Sequence, residues 1–113
     1  MLDSTELTSR LGFATAIARE AGRRLSVLRS SGRWQEPKIL GDVGDNAADG
    51  YLQGALFGRY PEDAVLSEET KDDLERTKNR IAWIVDPLDG TKEYAGGRHD
   101  WAVHVGLAVD QKP

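Results

Sequence analysis

The sequence predicts an α+β protein in which helical segments come first and strands follow. Apolar residues recur every three or four positions from Leu7 to Leu28, which is the spacing of one face of a helix. From Trp101 to Val109, bulky and small residues alternate with a period of two, which is typical of a half-buried strand. Two shorter apolar runs, 64–66 and 81–85, lie between these segments and predict further strands.

The first helix has recognisable end signals. Asp3 and Glu6 form a capping-box-like start, and Gly32 provides a stop. Its arginines lie mostly off the apolar face, so we expect a solvated face rather than a phosphate-binding patch. The predicted packing stripe consists of Leu7, Leu11, Ala14, Ala18, Ala21, Leu25 and Leu28.

A second helix is expected from about Asn46 to Arg59, and the pair Tyr60-Pro61 signals its end. Its inward side chains are predicted to be Ala48, Leu52, Ala55 and Leu56. Three glycines at four-residue spacing weaken this helix but permit close approach of another element. They are Gly50, Gly54 and Gly58.

The strand at 81–85 leads directly into residues that carry chemistry, in the segment WIVDPLDGTKEY. Pro87 lacks the N–H group that a continuing central strand would donate, so the strand is expected to stop at Asp86. Gly90 lets the backbone approach a ligand closely. Its N–H group and the two that follow can open a helix whose positive end favours phosphate. An ordinary turn, with Asp89 as a helix cap, is the structural alternative.

A second strand end supplies further acids. The run Ala64–Glu69 finishes with Glu68 and Glu69, and adjacent residues of a strand point to opposite faces, so one of the two can face the cluster directly. Carboxylates gathered from two strand ends repel each other unless cations neutralise them. Oxygen ligands without His or Cys suit Mg²⁺ rather than zinc. The residues therefore predict a magnesium site.

These motifs resemble a known superfamily over nearly the whole chain. DPLDGT, preceded by a strand that ends in SEE, is similar to the inositol monophosphatase superfamily of lithium-sensitive, Mg²⁺-dependent phosphatases. LSEE with DPLDGTKEY, followed by WAVHVGL, resembles the 3'(2'),5'-bisphosphate nucleotidase branch. The resemblance implies the N-terminal part of a layered αβαβα sugar-phosphatase sandwich, with two helices packed on a mainly antiparallel sheet.

The resemblance also implies the metal ligands. Glu68, Asp86 and the carbonyl of Leu88 would bind one Mg²⁺, and Asp86 with Asp89 would bind a second. It further implies that residues 1–113 are the N-terminal portion of one phosphatase domain. A further metal-binding Asp and most of the leaving-group pocket would then lie beyond this segment, and the segment alone is expected to be inactive.

The catalytic roles follow from the same resemblance. Glu68 and Thr91 would orient and activate the attacking water, and the N–H groups of Gly90 and Thr91 would hold phosphate oxygens. Asp45 matches the acid that hydrogen-bonds the catalytic Thr. The family usually has Val-Thr shortly before that acid, whereas this chain has GDVGD at 41–45.

Three alternatives to the Asp45 assignment remain open. Asp42 and Asp49 compete for the role, although Asp45 keeps the family's distance to the Tyr-Pro pair at 60–61. Asp45 as an ordinary helix cap is the third alternative.

The predicted reaction is Mg²⁺-dependent removal of the 3'-phosphate of adenosine 3',5'-bisphosphate, with inositol 1-phosphate or a related sugar phosphate as the alternative substrate. A haloacid dehalogenase mechanism is disfavoured, because it needs one residue between its two acids and Asp86 and Asp89 are separated by two. A non-catalytic phosphate- or metal-binding fragment is the alternative of a different class. The expected partner is a small phosphorylated substrate, and a homodimer of the longer protein stays open.

Composition agrees with these expectations. No apolar run approaches the roughly 20 residues that span a bilayer, so no membrane partner is expected. The net charge of -4 argues against binding to long nucleic acid. The acidic opening MLDSTEL lacks the features of a signal peptide, which predicts a cytoplasmic location. The absence of Cys excludes disulfides and thiolate catalysis.

The remaining residues of note are aromatic or charged. Trp34, Trp83 and Trp101 are expected to be core or edge aromatics rather than base-stacking platforms. His99 and His104 are expected to be unremarkable, with His104 in a packing or supporting position. The charged segment Lys71–Arg80 predicts a mobile loop or short helix over the site.

Overall fold

The computed structural model of this chain describes residues 2–67 and 80–110. Within these residues the elements are α1 (Ser4–Ser30), α2 (Pro37–Arg59), β1 (Ala64–Ser67), β2 (Ile81–Asp89), α3 (Thr91–Ala95) and β3 (Ala102–Val109). Glu68, Glu69 and the predicted loop up to residue 79 lie outside the described residues.

The strands form one sheet in the order β1-β2-β3, and α1 and α2 pack against it. This arrangement confirms the predicted α+β class. In the described residues the sheet is mixed rather than mainly antiparallel, because β1 runs parallel to β2 while β3 runs antiparallel to it. The connection over residues 68–80 has the dozen or so residues that the crossover of a parallel pair requires.

α1 begins and ends where the sequence predicts. The Asp3 carboxylate accepts a hydrogen bond from the backbone N–H of Glu6 at 2.8 Å, and Gly32 follows the helix with a φ of +67°. The solvated face is confirmed for Arg23 and Arg24, which pair with Glu20 on the helix surface. The buried residues of the helix are Ala14, Ile17, Ala21 and Leu25.

The predicted apolar stripe of α1 is wrong at its beginning. Leu7 and Leu11 are 39% and 48% exposed, whereas Ile17, which the stripe omitted, is 3% exposed. A helix of 27 residues is about 40 Å long. Its buried residues begin only at Ala14, so the first turns of α1 lie outside the buried core.

α2 begins at Pro37, well before the predicted start at about Asn46. Proline fits the first turn of a helix, because no acceptor is available for an N–H group there. The GDVGD stretch at 41–45, which was expected to precede the helix, is part of it. Asp45 is therefore inside α2, and the helix-cap alternative for Asp45 is wrong.

Close approach along α2 occurs at different glycines from those predicted. A Cβ atom placed on Gly50, Gly54 or Gly58 would meet nothing within 4 Å in the described structure. These glycines follow the buried residues Ala48, Leu52 and Leu56 by two positions, which is about 200° around a helix, so they lie on the opposite face. Gly41 and Gly44 are the buried glycines of this helix.

The core consists of two neighbouring clusters between the helices and the sheet. Trp83 is fully buried in the first, and its indole Nε1 donates a hydrogen bond to Asp63 Oδ2 at 2.9 Å. Tyr94 is fully buried in the second, with Trp34 and Trp101 packed against it. The three tryptophans are thus core aromatics, as predicted. The second cluster also contains Leu88 and so reaches the predicted site.

β2 continues through Pro87 to Asp89, so the predicted stop at Asp86 is wrong. Asp86 is opposite His104 and Asp89 is opposite Ala102 on β3, with a register shift between the two pairs. This places one extra residue on β2, as in a β-bulge, and a bulge tolerates proline. In the described residues, the pairing with β1 reaches as far as Val85.

Candidate active site

A cleft of about 370 Å³ opens where β1 and β2 end against α2. It contains four of the predicted site positions, namely Asp45, Asp86, Leu88 and Thr91. It also contains Asp49, the predicted competitor of Asp45, and two residues that the sequence analysis did not place in the site, Asn46 and Ser67. The parallel pairing of β1 with β2 explains the cleft, because their carboxyl ends meet at one edge of the sheet.

Thr91 is the first residue of α3 and is held at the mouth of the cleft. Its Oγ1 atom donates a hydrogen bond to the carbonyl oxygen of Leu88 at 3.2 Å. This is the same carbonyl that the family resemblance assigns to Mg²⁺. A hydroxyl group has one proton and two lone pairs, so Oγ1 can still accept a hydrogen bond from a water molecule.

Gly90 enables the abrupt change from β2 to α3. Its φ of +86° lies in the left-handed region, and a Cβ atom there would approach the Asp100 carbonyl oxygen to 3.0 Å. α3 starts at the next residue, as predicted. The first N–H groups of a helix have no acceptor within it, so those near Thr91 are suited to an anion.

Asp45 and Asp49 are one turn apart on α2, and both face the cleft. Asp42 does not line it. Instead, the exposed Asp42 carboxylate accepts a hydrogen bond from Lys38 Nζ at 3.1 Å. Of the two competitors for the Asp45 role, Asp49 therefore remains.

Asp89 lies apart from these residues. Its side chain is 63% exposed, its Oδ2 atom is 3.1 Å from His104 Nε2, and it lines a neighbouring recess with Gly90 and Trp101. Asp86 and Asp89 share one sheet face, because their partners His104 and Ala102 are two residues apart on β3. His104 is not a packing residue, since its side chain is 57% exposed, but its contact with Asp89 agrees with the supporting position that was the other part of the prediction.

The donor types at the cleft fit Mg²⁺, which prefers carboxylate and carbonyl oxygens. Asp45, Asp49 and Asp86 carry carboxylates, and Leu88 offers a backbone oxygen. No set of three or more His, Asp or Glu side chains within residues 2–67 and 80–110 is arranged to hold a metal ion. Glu68, a predicted ligand, follows Ser67 immediately and is not among these residues.

α3 is fixed by groups around the site. The buried Tyr94 hydroxyl donates to the Leu25 carbonyl oxygen at 2.6 Å, and burial raises the pKa of this phenol. Arg29 donates to the carbonyl oxygens of Tyr94, at 3.0 Å, and Arg98, at 2.8 Å. Arg98 in turn lowers the pKa of Asp100 by hydrogen bonding to its carboxylate. α1 thus helps to position α3.

This chain belongs to the inositol monophosphatase family, whose sequence model matches residues 6–113. It is 45% identical over 103 residues to the 3'-phosphoadenosine 5'-phosphate phosphatase of Mycobacterium leprae, covering 90% of this chain and 38% of that protein. The protein of the same name from Mycobacterium bovis is 47% identical over 89 residues, covering 78% and 33% respectively. The predicted resemblance to the nucleotidase branch is confirmed.

Solved structures show the same fold. Inositol monophosphatase-II from Staphylococcus aureus superposes with a TM-score of 0.75 at 26% identity, over 93% of this chain and 39% of that one. A 2'AMP-bound structure of SaIMPase-II gives 0.76 at 30% identity, over 93% and 38%. The chain therefore spans between about one third and two fifths of these relatives' lengths. None of the helices found in residues 2–67 and 80–110 combines the length and the hydrophobicity of a membrane span.

Proposed function

We propose that this chain forms part of a Mg²⁺-dependent phosphomonoesterase that converts adenosine 3',5'-bisphosphate to AMP and phosphate. The observation that carries the proposal is the cleft that gathers Asp45, Asp86, Leu88 and Thr91. The similarity to proteins named 3'-phosphoadenosine 5'-phosphate phosphatase supports the substrate. Residues 1–113 would be the N-terminal portion of one phosphatase domain.

Residues in and beside the cleft would hold the metal ions. Asp86 would bridge two Mg²⁺ ions, with Glu68 and the Leu88 carbonyl completing one site and Asp89 contributing to the other. When bound, the ions would clamp the phosphate, acidify a water and steady the leaving oxygen. Asp89 could use its Oδ1 atom for this role while Oδ2 keeps its contact with His104 Nε2.

Thr91 would position the attacking water. While its hydroxyl donates to the Leu88 carbonyl, a lone pair on Oγ1 can accept a hydrogen bond from the water, which aligns the water oxygen toward phosphorus. Asp45 is an alternative acceptor for that hydroxyl, since it lines the same cleft. Glu68 would share in activating the water, and the N–H groups of Gly90 and Thr91 would bind phosphate oxygens.

The alternative substrate is inositol 1-phosphate or a related sugar phosphate. SaIMPase-II has been crystallised with 2'AMP and with inositol monophosphate, at 30% and 28% identity to this chain. Metal ions and backbone N–H groups bind the phosphate of either substrate, so selectivity must come from contacts to the leaving group. We propose that those contacts come mainly from outside residues 1–113. The cytoplasmic location and the homodimer stay predictions.

Specificity constants decide between these substrates. The complete protein that contains this segment should be assayed with adenosine 3',5'-bisphosphate and with inositol 1-phosphate, side by side at equal Mg²⁺. We expect a higher kcat/KM for the nucleotide, and inhibition by Li⁺. A preference for inositol 1-phosphate would overturn the substrate but keep the phosphatase. Absence of turnover with both, with Mg²⁺ binding retained, would support a non-catalytic binding protein.

A further inference from the structure

α2 and α3 approach each other closely at Gly41. A Cβ atom on this glycine would lie 2.7 Å from Thr91 Cγ2, a separation shorter than real Cβ contacts allow. Gly41 is buried and sits in the interior of α2, where glycine is otherwise unfavourable relative to alanine. Glycine at position 41 is therefore explained by packing, because it leaves room for the Cγ2 methyl group of Thr91. Thr91 is the residue proposed to position the attacking water.

We propose that Gly41 is a positioning residue for Thr91, an inference that rests on the proposed function. The Cγ2 methyl and the Oγ1 hydroxyl are attached to the same Cβ atom of Thr91. Thr91 Oγ1 lies 3.2 Å from the Leu88 carbonyl oxygen. A rotation about the Cα–Cβ bond of Thr91 that moves the methyl away from a side chain at position 41 also moves the hydroxyl away from this carbonyl. The conflict would therefore reach the hydroxyl directly.

α3 cannot avoid the conflict by moving as a whole. Its Tyr94 side chain is buried and bonded to the Leu25 carbonyl on α1, and Arg29 holds the Tyr94 carbonyl. On the other side, Gly90 is packed against the backbone of Asp100 and Trp101. These contacts fix α3 from two directions, so the strain of a larger residue at Gly41 falls on the Thr91 side chain.

Gly44, one turn further along α2, provides a matched comparison. A Cβ atom there would lie 2.9 Å from Tyr94 Cε2 and 3.1 Å from Leu25 Cδ2, so it meets the core rather than Thr91. Gly50 provides the open control, with nothing within 4 Å. One helix thus offers three glycines that differ in what an added methyl group would touch.

The test is a double-mutant cycle in the complete protein. Gly41→Ala should lower kcat by about 10- to 100-fold with a much smaller change in KM, since a shift of about 1 Å in a reacting group has effects of this size. Thr91→Ser removes Cγ2 but keeps the hydroxyl. The double variant G41A/T91S should therefore recover kcat to the level of T91S alone.

The controls separate positioning from folding. Gly44→Ala should lower the melting temperature without rescue by T91S, and Gly50→Ala should leave kcat unchanged. The proposal is overturned if G41A has wild-type kcat, or if the double variant stays as impaired as G41A. Should G41A fail to fold, the melting temperature becomes the readout, and failure of T91S to restore it overturns the proposal equally. If the wild-type protein has no phosphatase activity, the proposed function fails, while the melting-temperature cycle still tests the Gly41–Thr91 contact.

Discussion

Asp86 is the residue at which the predicted metal sites overlap, and its surroundings suit that role. It is half-buried, it lines the cleft with Asp45, and it lies at the bulge where β2 loses its regular pairing with β3. A bulge redirects side chains at a sheet edge, which is a common arrangement next to active sites. The position of the Asp86 carboxylate therefore depends on the irregular backbone at the bulge as well as on the side-chain conformation.

Replacing Asp86 with Asn tests the bridging role. One neutral amide cannot bridge two dications, so phosphate release should fall by at least about 10- to 100-fold, the range seen when even outer groups of a metal site are lost. Activity against Mg²⁺ concentration and calorimetric Mg²⁺ binding are the measurements. Asp42→Asn is the matched control, because Asp42 is an exposed partner of Lys38 outside the cleft. Near wild-type turnover of D86N at saturating Mg²⁺ would reject the two-ion assignment.

Replacing Thr91 with Val tests the hydroxyl while keeping the shape. Turnover should fall by about 10²-fold or more, the scale of a lost positioned proton-transfer group, whereas substrate affinity should change much less. Thr91→Ser keeps the hydroxyl, so its turnover should fall far less than that of Thr91→Val. Steady-state kinetics with all three proteins gives kcat and KM separately. An unchanged kcat in T91V would remove Thr91 from the catalytic set.

At the scale of elements, α3 shows how a five-residue helix is held in place. Isolated helices of this length are unstable in water, so its conformation depends on tertiary contacts. Tyr94, a residue of α3 itself, makes such a contact through its buried ring and its hydrogen bond to the Leu25 carbonyl oxygen. The catalytic prediction for Thr91 therefore depends on residues that never touch a substrate.

The Tyr94 contact predicts a pH-dependent stability. Tyr94→Phe should lower the free energy of unfolding by about 1 kcal/mol near pH 8, since the phenol's hydrogen bond to a buried carbonyl is lost. Burial raises the pKa of Tyr94 above its ordinary value near 10. The neutral phenol's contribution is thus complete below pH 10 and is lost as the pH rises through the raised pKa.

Denaturant unfolding of both proteins at pH 8 and pH 11 checks this. The stability difference between wild type and Y94F should be smaller at the higher pH. Tyr51→Phe, which changes a half-buried tyrosine beside Arg24, is the control. A difference that stays constant between the two pH values contradicts the prediction.

The same elements show how far sequence reasoning reaches. The ends of α1 were predictable because Asp3 and Gly32 are local signals. The start of α2 was not, because Gly41 and Gly44 are typical of a loop until the packing of α3 against them is known. The contact between Asp89 and His104 likewise depends on a register shift that no local pattern specifies.

At the scale of the whole molecule, we propose that part of the site comes from residues 1–113 and part from the rest of the longer protein. A short motif at 86–91 supplies Asp86 of the cleft and the start of α3, while the carboxylates of Asp45 and Asp49 come from α2. This chain covers 38% of the Mycobacterium leprae relative, and the proposed leaving-group contacts belong to the remainder. This division explains why the motif predicts the chemistry of phosphate hydrolysis better than the choice of substrate.

The described surface also predicts how residues 1–113 behave when expressed alone. β1 and β3 are the edges of the sheet, and apolar side chains are exposed on the helices, with Phe57 at 71%. Open strand edges and exposed apolar groups favour association. We therefore expect the isolated segment to associate as its concentration rises and to release no phosphate.

Sedimentation over a dilution series, with the complete protein alongside, measures this association. Phe57→Lys should shift the segment toward monomer, because it removes an exposed apolar side chain and adds charge. Gly54→Lys adds the same charge on α2 at a site with open space, so it controls for charge alone and should have a smaller effect. A segment that stays monomeric at every concentration would show that these edges and side chains are tolerated in water. Phosphate release by that monomer would further show that the leaving-group contacts assigned to the remainder are dispensable for turnover.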